Sequence, residues 1–243
     1  MFKVTTMLLN INVKLISLLG ACTISCAAIA SEPPREYSEP AQSHHSEFVD
    51  VATLIPTALF DIRYFGNNNF VGAPVDGYEA AKCFLHKTAA KALQQAHKQA
   101  QQAGYNFKIY DCYRPQRAVD HFVRWVNDEA DTKTKAAYYP NLGKDQLLGG
   151  YIAAKSGHSR GSTIDLTLTD SQGQALNMGS LFDMFDTISN TDDPRITEEQ
   201  KANRYKLKNI MMAAGFSPYS MEWWHFTYKP QAYPDTYFDF VVK

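Results

Sequence analysis

The sequence is most informative first for what it lacks. It has no P-loop, no dinucleotide-binding G-x-G-x-x-G and no C-x-x-C pair. Nucleotide-driven and thioredoxin-like chemistries are therefore without their usual devices. No excess charge points to a polyanion: the formal net charge is -1, and Lys and Arg are scattered rather than clustered. Nucleic acid is thus not an expected partner. No internal repeat is visible. The apolar run from Leu15 to Ile29 is too short and too rich in small residues for a comfortable membrane span. Cysteine is sparse, with only 4 in 243 residues.

The N-terminus has the pattern of an export signal, with Lys3 and Lys14 ahead of the apolar run and small residues at Ala28 and Ala30. The stretch Leu19-Gly20-Ala21-Cys22 also resembles a lipoprotein cleavage box, which would make Cys22 a lipidated N-terminus; both leaders stay open. Residues 1–30 are read as a leader, and residues 31–47, rich in Pro, Ser, Glu and His, as a disordered linker. Residues 48–243 form one domain, with no membrane span in the mature chain and the oligomeric state open. Cleavage after Ala30 leaves Cys83 and Cys112, and two thiols in an oxidising compartment invite a disulfide.

Periodicity predicts three helices. One covers Thr88 to Ala103 and stops at Gly104; a second follows Arg114, with Pro115 at its first position and Val119, Phe122, Val123 and Val126 as its stripe. The third starts at a capping box, Thr197 to Gln200, and buries Leu207, Ile210, Met211 and Ala214. Strand patterns cover Asn106–Tyr113, Ser162–Leu168 and Trp223–Tyr228. Without a regular βαβ rhythm, the expectation is a single α+β domain on a small antiparallel sheet.

Three stretches carry chemistry. In residues 156–168, SGHSRGSTIDLTL, His158 sits in a glycine-marked loop and Asp165 on the polar face of a strand, where a buried carboxylate needs a cation or several donors. In EWWHF, His225 lies among aromatics, which favours a neutral, ligating imidazole, and Glu222 is expected in the turn before the strand, leaning over the same site. In DCYRP, Arg114 stands where a strand gives way to a helix and can face an oxyanion. The plainer alternatives are an Asp165–Arg160 pair, a core His225 and a surface pair of Arg114 with Asp111 or Asp120.

Taken together and in this order, these segments resemble the signatures of VanX-type D-alanyl-D-alanine dipeptidases, zinc peptidases related to D,D-carboxypeptidases; the likeness runs from about Asp61 to Tyr228. The resemblance implies one zinc ion per chain on His158, Asp165 and His225, with Glu222 as general base and Arg114 at the oxyanion. It further implies Ser156 near the substrate amine, Asp183 receiving the ammonium and Tyr64 lining the pocket of a small dipeptide. Asn177 and Asn190 depart from the family pattern. A sibling activity, a D,D- or L,D-carboxypeptidase on peptidoglycan stem peptides, and a non-catalytic wall-binding module are the rival readings. The first differs in leaving the amine end open; the second has no need of Glu222.

Overall fold

The computed structural model describes residues 46–243; the leader, and the linker up to residue 45, lie outside the described residues. Glu47, assigned to the linker by its composition, instead belongs to the fold, paired with Lys87 at 2.8 Å and bonded to Tyr233.

Strand β1 (Phe48–Asp50) comes first, then the short β2 (Leu59–Phe60) and β3 (Phe84–His86). Helix α1 (Lys87–Gln102) starts one residue before its predicted position, because the His86 side chain caps it by accepting from the Thr88 N–H. Strand β4 (Asn106–Asp111) is shorter than its sequence pattern. Helix α2 (Gln116–Asn127) begins after Pro115, whose extended ψ of 147° makes it the cap rather than the first helical residue. The one-turn α3 (Lys135–Tyr138) and strand β5 (Thr163–Thr169) follow. Helix α4 (Glu198–Ala213) opens on the expected box: Thr197 and Gln200 each satisfy the other's backbone N–H. Strands β6 (Phe216–Tyr219) and β7 (Glu222–Tyr228) complete the set.

The main sheet has the order β2-β4-β5-β7-β6; it is antiparallel except at its edge, where β2 runs parallel to β4. A second, two-stranded antiparallel sheet pairs β1 with β3. The α+β expectation therefore holds. Helices α1 and α4 pack on each other and on strands of the sheet. Every residue of β5 is buried. Its apolar side, Ile164, Leu166 and Leu168, joins the core, while Thr163, Asp165 and Thr167 face the other way.

One departure in α4 is physical rather than periodic. Arg204 is buried at 1% exposure, beside Leu207 and Met211. Its guanidinium donates to the carbonyls of Met178 (2.6 Å), Asn190 (2.6 Å) and Ile188 (2.9 Å), so it staples the 178–190 loop to the helix.

Candidate metal centre and substrate cavity

Cross-strand register builds the centre. Asp111 of β4 pairs with Asp165 of β5, and Asp165 with His225 of β7, so three polar residues form one row across the sheet. The row depends on a bulge: the β4–β5 register shifts between Ile109 and Asp111. His158 arrives from outside the sheet, on a 3-10 turn, Gly157–Arg160. The Ser156 hydroxyl caps that turn by accepting from the His158 N–H, and Gly161 ends it at φ 76°. A side chain at Gly161 would strike the Phe48 ring, so both conformation and space call for glycine there.

The result is convergence. His158 Nε2 lies 3.2 Å from Asp165 Oδ2, His225 Nδ1 lies 3.1 Å from Asp165 Oδ1, and the two imidazole nitrogens are 3.3 Å apart. One ligand atom from each residue falls within 4.8 Å of the others. The set fits a divalent metal by its chemistry, two imidazoles and a carboxylate. It also fits by what it leaves unmet: Asp165 Oδ1 is buried and takes no hydrogen bond, although His225 stands beside it. His158 Nδ1 bonds the Cys112 carbonyl at 2.7 Å, which makes Nδ1 the protonated nitrogen and turns the Nε2 lone pair inward. Arg160 is occupied elsewhere, with Gln231 and Tyr237, so an Asp165–Arg160 pair does not form.

Charge states follow from this packing. Burial alone would raise Asp165, but the two imidazoles overcome it and hold the carboxylate well below its ordinary range. Burial presses His225 downward, yet the Asp165 carboxylate 3.1 Å away and the nearby Glu222 lift it above the usual value. Either a proton or a metal on Nδ1 satisfies the Asp165 carboxylate.

Glu222 is the first residue of β7 rather than a turn residue. The turn is Ser220–Met221, just before it, and a register slip between Pro218 and Tyr219 relaxes strict alternation; Glu222 Oε2 comes 3.4 Å from His225 Nδ1. Burial raises its carboxyl to about 7, with the Asp165 charge adding to the rise and His225 opposing it. Arg114 does pair with Asp111, at 2.9 Å, but both are inside the protein rather than on its surface. Its guanidinium lies 5.0 Å from the Tyr64 ring centroid and 5.1 Å from that of Phe122, and Nη2 is 3.6 Å from Asp165. Asp111 in turn accepts from Tyr78 at 2.6 Å.

Beyond His158, Asp165 and His225 lies a cavity of about 290 Å³, lined among others by Tyr64, Ser156, Asp183, Tyr219 and Glu222. Asp183 is the one non-glycine residue at positive φ (61°) among the described residues, and the Tyr64 hydroxyl donates to it at 2.8 Å. Burial, with Asp165 nearby, raises its carboxyl well above the ordinary value, so an arriving cation is what its charged form lacks. The structure thus brings all eight sequence-selected polar residues of the site to one cavity or its wall. Asn177 and Asn190 are not among the cavity residues; Asn177 caps the 178–179 turn, and the Asn190 carbonyl holds Arg204. Sequence reasoning missed Tyr78 and Tyr219, the latter edge-on to His225 at 5.6 Å, because neither has a motif signature. Cys83 and Cys112 are joined, with Cα atoms 5.2 Å apart.

Two imidazoles, a buried carboxylate, a further carboxylate at the rim and an interior arginine define the class: a metal-dependent hydrolase on an α+β sheet. Residues 44–243 match the Peptidase_M15 family, described as D-ala-D-ala dipeptidase, and the chain belongs to that family of metallopeptidases. Proteins named D-alanyl-D-alanine dipeptidase from Streptomyces coelicolor and Enterococcus faecalis are 43% and 44% identical over 198 residues, covering 81% of this chain and 98% of each relative. One of the same name from Escherichia coli is 37% identical, covering 78% of this chain and 88% of its own. The solved LD-carboxypeptidase LdcB aligns more loosely, at 17% identity and a TM-score of 0.41 over 81% of this chain and 72% of that one, too slight a likeness to bear on function.

Proposed function

We propose that this chain is an exported enzyme that hydrolyses D-alanyl-D-alanine in cell-wall metabolism, with one zinc ion held by His158, Asp165 and His225. The observation that carries the reading is the convergence of those three side chains beside a carboxylate, Glu222, that stands at the rim of the site. Family membership and the names of the relatives support the substrate. The leader pattern at the N-terminus supports export to the periplasm or another extracytoplasmic space, by a signal peptide or a lipid on Cys22.

Zinc, when bound, supplies Lewis acidity, polarising a carbonyl and lowering the pKa of water. Glu222 is the base that removes a proton from the attacking water and returns it to the departing amine nitrogen. It is held close to His225, and its partly desolvated carboxylate is a stronger proton acceptor than one in water. Arg114, fixed by Asp111 and backed by the Tyr64 and Phe122 rings, presents its guanidinium to the carbonyl oxygen as negative charge develops there. Asp183 receives the substrate ammonium and is itself oriented by Tyr64. Ser156 lines the cavity near that end while capping the turn that carries His158. A cavity at the small end of the range for ligand sites excludes long peptides by size.

Glu222→Ala is expected to retain near-stoichiometric zinc and lose turnover by orders of magnitude; normal turnover in that variant would end the proposal. The sibling reading, a D,D- or L,D-carboxypeptidase, differs at the amine end. A buried Asp183 with a single side-chain donor favours a free ammonium there, so N-acetylated D-Ala-D-Ala is expected to resist cleavage. Efficient cleavage of the acetylated substrate would favour the sibling.

A further inference from the structure

The ligand His158 is aimed by a backbone atom that no side-chain substitution can remove, the Cys112 carbonyl at 2.7 Å from Nδ1. What holds that carbonyl is therefore a question about the segment around it. The β4–β5 ladder ends at the bulged pair Asp111–Asp165, so Cys112 lies just past the last rung. The same few residues carry three duties: the Asp111 carboxylate that grips Arg114, the Cys112 carbonyl on His158, and Arg114 itself, whose N–H donates to the His158 carbonyl at 3.4 Å. Two ties fasten this segment to β3, which belongs to the other sheet. One is the Tyr113 N–H to the Phe84 carbonyl, at 2.9 Å. The other is covalent, the Cys83–Cys112 disulfide. The β3 end is itself anchored on both sides, by the Val51 N–H to the Cys83 carbonyl and the His86 N–H to the Gly161 carbonyl, each 2.8 Å. Gly161 closes the turn that carries His158, so the tether runs from one side of this histidine's support round to the other.

We infer that the Cys83–Cys112 disulfide is a positioning brace for the metal centre, holding the carbonyl that aims His158 where the ladder of β4 has already ended. The inference rests on the assignment of His158 as a zinc ligand. Backbone partners of a ligating imidazole act on metal affinity by fixing ring orientation and tautomer, and losing such support costs about 10- to 100-fold in affinity or activity. A brace that slackens this carbonyl therefore acts first on zinc affinity, and on KM for the dipeptide little.

The test compares the oxidised protein with a Cys83→Ser, Cys112→Ser double variant. Zinc affinity is measured by competition with a chromogenic chelator, kcat and KM at saturating zinc, and the fold by near-ultraviolet circular dichroism. Arg204→Met, whose side chain works in the 178–190 loop, serves as a control for general destabilisation. The expected result is a double variant that folds, binds zinc at least about 10-fold more weakly and keeps its KM within a few-fold, while Arg204→Met retains zinc affinity. A folded double variant with wild-type affinity, or equal losses in the control, overturns the proposal.

Since removing a buried disulfide can prevent folding, a second arm acts on protein already folded and zinc-loaded. A phosphine reduces the bond, each sulfur gaining an electron and a proton while the phosphine takes oxygen from water to become its oxide. Zinc released while the dichroism persists supports the brace; zinc retained until the fold is lost refutes it. Oxidised protein that takes up no zinc, or whose affinity survives His158→Ala, would instead refute the site assignment, and the brace with it.

Discussion

Removing the charge of Asp111, without its shape, is the sharpest probe of how the interior arginine works. Asp111 is fully buried, accepts from Tyr78 and grips Arg114 Nε at 2.9 Å. Asp111→Asn turns a charge-assisted bond into a weaker neutral one, and a bond to a charged group is worth about 1.5–3 kcal/mol. The Arg114 guanidinium keeps its aromatic backing but loses the contact that fixes its direction. A loss near 2 kcal/mol in the transition state corresponds to about a 30-fold fall in kcat, with KM little changed if Arg114 acts on developing charge. Arg114→Met alone, which removes the oxyanion partner, is expected to cost about 10²- to 10³-fold. The decisive measurement is the double variant. With Arg114 gone, Asp111 has nothing catalytic to orient, so Asp111→Asn then costs kcat less than about threefold, a coupling above 1 kcal/mol. Stability moves the other way: Arg114→Met leaves a buried carboxylate unpaired, and adding Asp111→Asn recovers part of the lost stability. Because Asp111 also lies 3.5 Å from His158 Nδ1, zinc content is measured in every variant. Additive losses in kcat at full zinc occupancy would refute the positioning role.

Arg204→Met strips the charged donor from three loop carbonyls and is expected to destabilise the fold by about 3 kcal/mol, read as a lower urea midpoint at unchanged slope; a change under about 1 kcal/mol would show that water replaces those bonds without loss. Asp183→Asn keeps an acceptor for Tyr64 but removes the charge facing the ammonium. KM for the dipeptide is expected to rise about 10- to 100-fold, at about 1.4 kcal/mol per tenfold, with a smaller effect on kcat, and an unchanged KM would place the ammonium elsewhere. Glu47 is held down to about 2 by its bonds to Lys87 and Tyr233, against an ordinary value of 4.5. Its depressed carboxyl stabilises the fold above pH 4.5, and that contribution fades as pH falls toward 2. Thermal melts of Glu47→Gln should therefore fall below wild type at pH 7 and converge with it near pH 2; a gap that stayed constant with pH would mean the carboxylate charge plays no part.

Local pattern was enough for the three long helices and for β4, β5 and β7, but not for the short β1, β2, β3, β6 and α3. Helical spacing, the Thr197 box and the alternation around Asp165 each reflect forces acting within a few residues, so they are readable from the chain alone. The same holds for the candidate donors: a carboxylate on a buried strand and a histidine between aromatic residues are costly unless they have partners, and that cost is visible in sequence. Where the elements stop was less legible: Pro115 became a cap, β4 ended at the bulged pair of Asp111 with Asp165, and Glu222 joined β7 opposite Tyr219. Register belongs wholly to the tertiary structure. The bulge before Asp111 and the slip at Pro218 decide that Asp111, Asp165 and His225 share a row and that Glu222 reaches the same side as His225. So does the electrostatic setting of His225, which burial pushes one way and a carboxylate 60 residues earlier in the chain pushes the other. Electrostatic energy depends on distance in space, and sequence records only distance along the chain.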